Sequence, residues 1–231
     1  MKQKETSLSI RSEEEDEYGD SHSFSSFNTP LRPDAFERDD ELKIELISKH
    51  FKEIMQILGL DLMDDSLAGT PNRVAKMYVK EVFSGLNPKN KPQITLFENK
   101  YKYDQMLVEK DITFYSHCEH HFVPIYGKAH VAYFPNGKVI GLSKINRIVQ
   151  YYAKRPQVQE RLTVQIGKEL RKILHTEHIA IVLDASHMCV SSRGVNDTNS
   201  TTGTAFFDGK FLEQDFKNEF LNYINSETKL K

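Results

Sequence analysis

The chain has 231 residues with a formal net charge of −2, and 39% of them are hydrophobic and 28% charged, which is ordinary for a soluble globular protein of either one sizeable domain plus a tail or two small domains. The near-zero charge argues against a broad basic footprint for nucleic acid or an anionic membrane, and no apolar run approaches the roughly 20 residues that span a bilayer. Since the start, MKQKETSLSI, also lacks the apolar core of a signal peptide, we expect a cytoplasmic protein, with nuclear residence left open.

The N-terminal segment, residues 1–37, is rich in serine and acidic residues and has almost no aliphatic periodicity. A segment of this kind buries too little apolar surface to offset its chain entropy. The composition therefore predicts a disordered tail, which is either a simple solvated segment or a regulatory one. We expect the tail to be dispensable for chemistry.

Residues 38–90 are predicted to form a helical N-terminal region. Apolar residues recur at spacings of three and four, which indicates an amphipathic helix that begins at Asp39 or Asp40 and ends at Gly59. A second helix follows, with Thr70 as its cap and a proline at its first position.

The remainder, residues 91–231, mixes strands with helices and predicts an α+β domain. The predicted strands are Ile94–Phe97, Ile112–Tyr115, Ile125–Phe134, Val139–Ile140, Ile179–Ala185 and Thr204–Phe207. The predicted helices are Ser143–Lys154, Gln157–Leu174 and Glu213–Ile224, the first two separated by Pro156. Residues 135–138, with the sequence Pro-Asn-Gly-Lys, predict a hairpin turn between the third and fourth strands.

The two cysteines, Cys118 and Cys189, are the first candidates for chemistry. Cys118 and His121 lie three residues apart, so one turn of chain can direct both toward one metal ion. Together with Cys189 they form a Cys₂His set, and three protein ligands with an open position are typical of catalytic zinc. A buried cysteine that serves only as a small hydrophobe is the alternative, as is a closed structural site with a fourth histidine.

Two further histidines, His120 and His187, lie within two residues of these candidate ligands. Imidazole titrates near neutral pH, so either ring is suited to move protons beside a metal site. The alternatives are that each ring supports a ligand or is simply exposed. Glu119, between Cys118 and His120, is interpreted as a carboxylate that orients a ligand.

A basic cluster opens the helix predicted after the fourth strand. Ser143 is interpreted as its N-cap, which places Lys144 and Arg147 in the first turn, where cations are unfavourable. An anion bound by the free backbone N–H groups and these side chains would explain the arrangement. Arg73 and Arg193 are candidates to join from elsewhere, and two exposed basic residues are the alternative.

The following predicted helix begins with Gln159 and Glu160 close to its start. A carboxylate in a first helical turn usually just complements the helix dipole. It can also accept two hydrogen bonds from the edge of a nucleobase, and both interpretations of Glu160 stay open from the residues alone.

Three separated blocks carry a family resemblance. They are TPNRVAKMYVKEVFSGL, CEHHFVPIYGKAHVAYFPNGKVIGLSKINRIVQYYAKRPQVQERLT and SHMCVSSRGV. They resemble the signature blocks of the GTP cyclohydrolase I family, in the same order and without an obvious gap from about Asp40 to the C-terminus. The tail, residues 1–37, has no usable counterpart.

The resemblance implies a tunnelling fold, in which subunits join antiparallel sheets with flanking helices into a ring. It implies a homodecamer of two stacked pentamers with active sites between subunits, and whether a regulatory protein binds is left open. The implied reaction is the zinc-dependent conversion of GTP to formate and 7,8-dihydroneopterin triphosphate, the entry step of folate or tetrahydrobiopterin synthesis. A catalytically inactive pterin-binding subunit and a zinc-stabilised structural module are the rival classes.

The family's functional positions map onto this chain without a departure inside the motifs. The implied Zn²⁺ ligands are Cys118, His121 and Cys189, and the implied catalytic histidines are His120 and His187. The implied guanine-recognising pair is Gln159 and Glu160, and the implied triphosphate-binding set is Arg73, Ser143, Lys144, Arg147 and Arg193.

Overall fold

The computed structural model describes residues 26–226, so most of the predicted tail, residues 1–25, lies outside the described part. The helices are α1 (Asp40–Ile57), α2 (Asp65–Ala68), α3 (Thr70–Lys76), α4 (Leu142–Ala153), α5 (Gln159–Leu174), α6 (Met188–Ser191) and α7 (Gln214–Asn225). The strands are β1 (Leu96–Glu98), β2 (Leu107–Cys118), β3 (Pro124–Tyr133), β4 (Lys138–Ile140), β5 (Pro156–Gln157), β6 (Ile179–His187) and β7 (Thr202–Phe207). Among residues 26–226, no helix is both long and apolar enough to cross a membrane.

A five-stranded sheet in the order β5-β2-β3-β6-β7 forms the centre of the molecule. Strands β2, β3, β6 and β7 are antiparallel, and the short β5 adds to β2 in parallel. Helices α4 and α5 pack against the sheet and supply fully buried residues such as Ile145, Ile148, Leu162 and Ile166. The predicted α+β class, with a helical part before the sheet, is confirmed.

The hairpin predicted between the third and fourth strands is wrong in its pairing. Strand β4 pairs with β1, through Val139 opposite Phe97, and not with β3. Both edges of β3 are already occupied by β2 and β6, so β3 has no free edge to offer. The turn residues, with Gly137 at φ +71°, instead lead the chain from one sheet to the other.

Several predicted helix starts shift by one or two residues; α3, for example, begins at Thr70, so Gly69 and not Thr70 is its N-cap. Helix α4 begins at Leu142 after Gly141, which has no side chain to cap it, so Ser143 is in the first turn and is not the N-cap. Helix α5 begins at Gln159 and not Gln157, because Pro156 and Gln157 pair with the end of β2. At α1 the predicted cap is confirmed, since Asp39 accepts a hydrogen bond from Leu42 N at 2.8 Å.

The helical N-terminal region is joined closely to α4. Helix α3 continues as a π-helical stretch, Met77–Val82, and leads to Gly85. The amide of Gly85 donates to Lys154 O at 2.9 Å, and a Cβ at this position would lie 2.1 Å from Tyr151 O. The backbones therefore meet at a distance that only glycine permits.

The end of the predicted tail, residues 26–37, contacts the folded domain. Arg161 Nη1 donates to Ser26 O at 3.3 Å, and Lys168 Nζ lies 4.0 Å from the centroid of the Phe27 ring. Ser26 and Phe27 therefore lie against α5 before the chain reaches α1.

Candidate active site

The sheet topology brings three strand ends to one place. The end of β2 lies beside the start of β3, with His117 opposite Pro124. The end of β6 lies on the other side of β3, with His187 opposite Ile125. The residues that directly follow β2 and β6 therefore meet at the start of β3, although they are about 70 positions apart in sequence.

A tight loop after β2 places two histidines beside Cys118. Cys118 N donates to Val123 O at 2.8 Å and Phe122 N donates to Cys118 O at 2.9 Å, which closes the loop on itself. Within it, Nδ1 of His120 and Nδ1 of His121 lie 3.6 and 3.8 Å from the Cys118 Sγ. The loop therefore presents one thiol and two imidazoles to the same volume.

Cys118, His121 and Cys189 form a group suited to a metal ion. Their ligand atoms all lie within 4.8 Å of one another, and ligand atoms on a tetrahedral zinc are about 3.6–3.8 Å apart. Burial and the neighbouring Cys118 thiol raise the pKa of Cys189 to about 11. The Cys189 thiol therefore resists ionisation unless a cation compensates its charge, so the donor set fits a metal that binds thiolates.

His187 is held by Gln159. The Gln159 Nε2 lies near three acceptors: Leu183 O at 3.3 Å, Thr202 O at 2.7 Å and Thr204 Oγ1 at 3.1 Å. The amide oxygen therefore faces His187 Nε2, at 2.7 Å, and accepts from it. A neutral His187 then carries its proton on Nε2 and has its lone pair on Nδ1.

The surroundings of His187 also favour the neutral ring. Burial lowers the pKa of His187, and the nearby Glu160 carboxylate opposes that shift. Gln159 is 1% exposed, so its amide forms its hydrogen bonds inside the fold. Its predicted role in guanine recognition stays a prediction.

Glu160 and His120 share a cavity of about 510 Å³. The exposed Glu160 side chain faces it from the first turn of α5. The N-terminal segment forms another wall, through Ser26 and Phe27. This cavity is large enough for a purine base.

The predicted triphosphate-binding residues lie in separate places in one chain. Arg193 donates to His121 Nε2 at 2.9 Å, so it borders the candidate metal group. Arg73 donates to Ser66 O and to Thr70 Oγ1 in its own region. The other three lie in the first two turns of α4: Ser143 and Arg147, which are exposed, and Lys144, which donates to Gln93 O at 3.0 Å.

The sequence predictions missed two supports of the metal loop. The ring of Phe83, from the N-terminal helical region, lies 5.3 Å from the ring of His117 and 5.2 Å from that of Phe122. Arg161 on α5 forms an ion pair with Glu119. A signal for Arg161 exists in the sequence, since it is a cation in a first helical turn, the same feature that singled out Lys144.

Comparisons with known proteins agree with this geometry. Residues 47–225 match the family model for GTP cyclohydrolase I. A protein named GTP cyclohydrolase 1 from Flavobacterium johnsoniae is 61% identical over 213 residues, which cover 92% of this chain and 96% of the relative. Proteins of the same name from Citrobacter koseri and Escherichia coli are each 56% identical over 197 residues, which cover 85% of this chain and 89% of each relative.

Proposed function

The chain belongs to the GTP cyclohydrolase I family, and we propose that it converts GTP to formate and 7,8-dihydroneopterin triphosphate, with Zn²⁺ held by Cys118, His121 and Cys189. The observation that carries this proposal is the convergence of three ligand atoms within 4.8 Å, with two further histidines beside them. A structural module would need no cavity next to the metal group, and this chain has one. The product would enter pterin biosynthesis.

The metal would supply Lewis acidity and, through it, a water nucleophile at neutral pH. Three protein ligands leave one position open, as this role requires. Two cysteines and one histidine fit zinc in particular, because thiolate and imidazole are its preferred ligands. Cys118, His121 and Cys189 would hold the ion beside the cavity in which the guanine base would lie.

His187 and His120 are proposed to move protons during ring opening and formate loss. The His187 Nε2–H is directed to Gln159, so Nδ1 would be the atom that exchanges a proton with the imidazole ring of GTP. The lowered pKa of His187 makes its protonated form a stronger acid. His120, whose Nδ1 lies 3.6 Å from the Cys118 Sγ, would shuttle protons on the other side.

Glu160 is proposed to hold the guanine edge in the cavity that it shares with His120. A carboxylate accepts two hydrogen bonds from the amide and amino groups of guanine, and adenine does not offer that pair. A site whose acceptor stays unsatisfied by the wrong base rejects that base strongly. We therefore expect GTP to be preferred over ATP.

Part of the triphosphate-binding set would come from a second copy of the chain, since only Arg193 borders the metal group of its own chain. The metal group lies at the start of β3, whereas Ile140 N donates to Tyr133 Oη at 3.3 Å and so ties the start of α4 to the end of β3. A ten-residue strand spans about 30 Å, so Lys144 and Arg147 are far from the metal group of their own chain. A homodecamer with sites between subunits, as the resemblance implies, would bring them to a neighbouring site.

One assay tests the proposal. Zinc-loaded full-length protein is incubated with GTP, ATP or guanosine, and formate and the fluorescence of the oxidised pterin are measured. We expect products from GTP, little from ATP, and much slower turnover of guanosine, because remote phosphate contacts orient C8 at the metal. Absence of formate from GTP with stoichiometric zinc present would contradict the proposal and leave the rival classes.

A further inference from the structure

Arg161 is a buried cation in an unfavourable position. Its side chain is 4% exposed, and it lies in the first turn of α5, where the helix dipole is already partly positive. Burial of a charge is strongly unfavourable unless it is paired and hydrogen-bonded. The fold therefore keeps this arginine only because its partners compensate for it.

These partners come from three separate segments. Arg161 Nε donates to Gln157 Oε1 at 2.8 Å, and Nη2 donates to Pro156 O at 3.2 Å and to the Glu119 carboxylate. Nη1 donates to Ser26 O at 3.3 Å. Because the guanidinium is a rigid planar fork, these contacts fix the segments relative to one another.

The Glu119 contact reaches the candidate metal loop. Glu119 lies between Cys118 and His120, and its backbone N donates to Gln157 O at 3.0 Å. One carboxylate oxygen pairs with Arg161, and the other lies 3.9 Å from His120 Nε2. A shift of Glu119 would therefore move both the ligand before it and the histidine after it.

We propose that Arg161 is a positioning residue: through Glu119 it holds the loop 118–122 in its metal-binding geometry and aligns that loop with the turn that carries Glu160. The inference rests on the proposed metal group, and it adds a residue that touches neither metal nor substrate. Groups that orient a metal-binding loop typically change metal affinity or activity by about 10–100-fold when they are removed.

The test uses full-length variants that remove the ion pair from either side. They are Arg161→Met, Arg161→Lys, Glu119→Gln and the double variant Glu119→Gln/Arg161→Met. The matched control is Arg171→Met, which removes an arginine from the exposed far end of the same helix, where it pairs with Glu177 and Asp208. Zinc affinity is measured by competition with a chromophoric chelator, kcat and KM with GTP, and thermal unfolding separately.

Arg161→Met is expected to weaken zinc affinity by about 10–100-fold and to lower kcat more than it raises KM. Arg161→Lys should be intermediate, since it keeps the charge and loses the fork. The double variant should be no worse than the worse single variant, because both singles break one interaction. Arg171→Met should match the wild type in zinc affinity and kcat.

Wild-type zinc affinity and kcat in folded Arg161→Met, with at most a lower melting temperature, would overturn the proposal, since a merely structural role predicts that result. Losses that multiply in the double variant would overturn it as well. If Arg161→Met does not fold, Glu119→Gln decides, and unchanged zinc affinity there counts against the proposal. A wild-type protein that binds zinc in this pattern but does not turn over GTP would refute the proposed function and leave the role of Arg161 standing.

Discussion

Gln159 fixes the orientation of His187 and the position of its proton. The Gln159 amide is oriented by two backbone carbonyls and Thr204, so its oxygen fixes which nitrogen of His187 bears the proton. The contact joins the first turn of α5 to the end of β6. A proton-transfer group at a fixed angle loses little entropy when the reaction begins.

The His187→Ala variant should separate acid–base catalysis from metal binding. Gln159 holds His187 and the candidate ligands do not need it, so the variant should keep its zinc and its affinity for GTP. Its turnover should fall by about 10²–10⁴, the usual magnitude for general acid–base catalysis. His50→Ala, at an exposed histidine of α1 paired with Glu53, is the control. Near-normal turnover, or zinc lost in step with activity, would contradict the acid–base role.

The second prediction concerns acid stability and His130. This buried ring accepts a hydrogen bond at Nδ1 from Asp111 N at 3.2 Å, and burial lowers its pKa, with Asp111 and Asp184 opposing the shift and Lys110 and Lys128 adding to it. The unfolded chain, with a pKa of about 6.5, therefore takes up the proton first as the pH falls. The contribution of His130 to stability is complete above that pKa and is lost below it.

His130→Asn removes the titrating group and keeps an acceptor for Asp111 N. In urea unfolding between about pH 7.5 and about pH 5.5, the wild type should lose more stability than the variant. Other histidines titrate in both proteins, so their effects cancel in the difference. Equal pH dependence in the two proteins would contradict this account of His130.

The residue patterns predicted the metal group better than its supports. Residue type and spacing singled out Cys118 and His121, because both lie on one short loop and carry metal-binding atoms. Arg161 and the Gln159–His187 contact depend on which elements pack together. A single sequence does not fix that packing, so no pattern assigns a partner to Arg161, and the interpretation of His187 stays open.

At the scale of elements, the periodicity of apolar residues predicted the helices and most strands. The predicted pairing between strands was wrong where a local turn signal conflicted with the pairing in the sheet. The Pro-Asn-Gly-Lys turn favours a hairpin locally. Strand β3 instead pairs with β2, which precedes it across a short loop, and with β6, which follows it by a long connection. Such long-range pairing decides the topology, and no local pattern reports it.

The end of the N-terminal segment is expected to contribute to substrate binding, and the part before it is not. Deletion of residues 1–25 should leave kcat and KM for GTP near wild type. Deletion of residues 1–37 also removes Ser26 and Phe27, which wall the cavity that contains His120 and Glu160, so it should raise KM several-fold. Assembly is checked by size exclusion in both truncations. A wild-type KM after the longer deletion would support the simpler expectation that the whole segment is dispensable.

At the scale of the whole molecule, the proposed function requires sites shared between copies. His187 lies at the end of β6 beside the metal group, whereas Arg147 lies on α4, whose start is tied to the other end of the sheet, so we infer that a complete site takes the two from different chains. We predict that inactive His187→Ala and Arg147→Ala proteins, unfolded together and refolded as a mixture, regain roughly a quarter of wild-type activity. Each variant refolded alone is the control, and no recovery in the mixture would place a complete site within one chain.

The most direct test of the central claim is the zinc content of purified protein and of its ligand variants. We predict about one zinc per chain in the wild type and in the His50→Ala control. We predict loss of that zinc, together with GTP turnover, in Cys118→Ser and in Cys189→Ser, since the two cysteines come from different strand ends but would bind one ion. Full zinc retention in either cysteine variant would contradict the metal centre on which the proposed reaction depends.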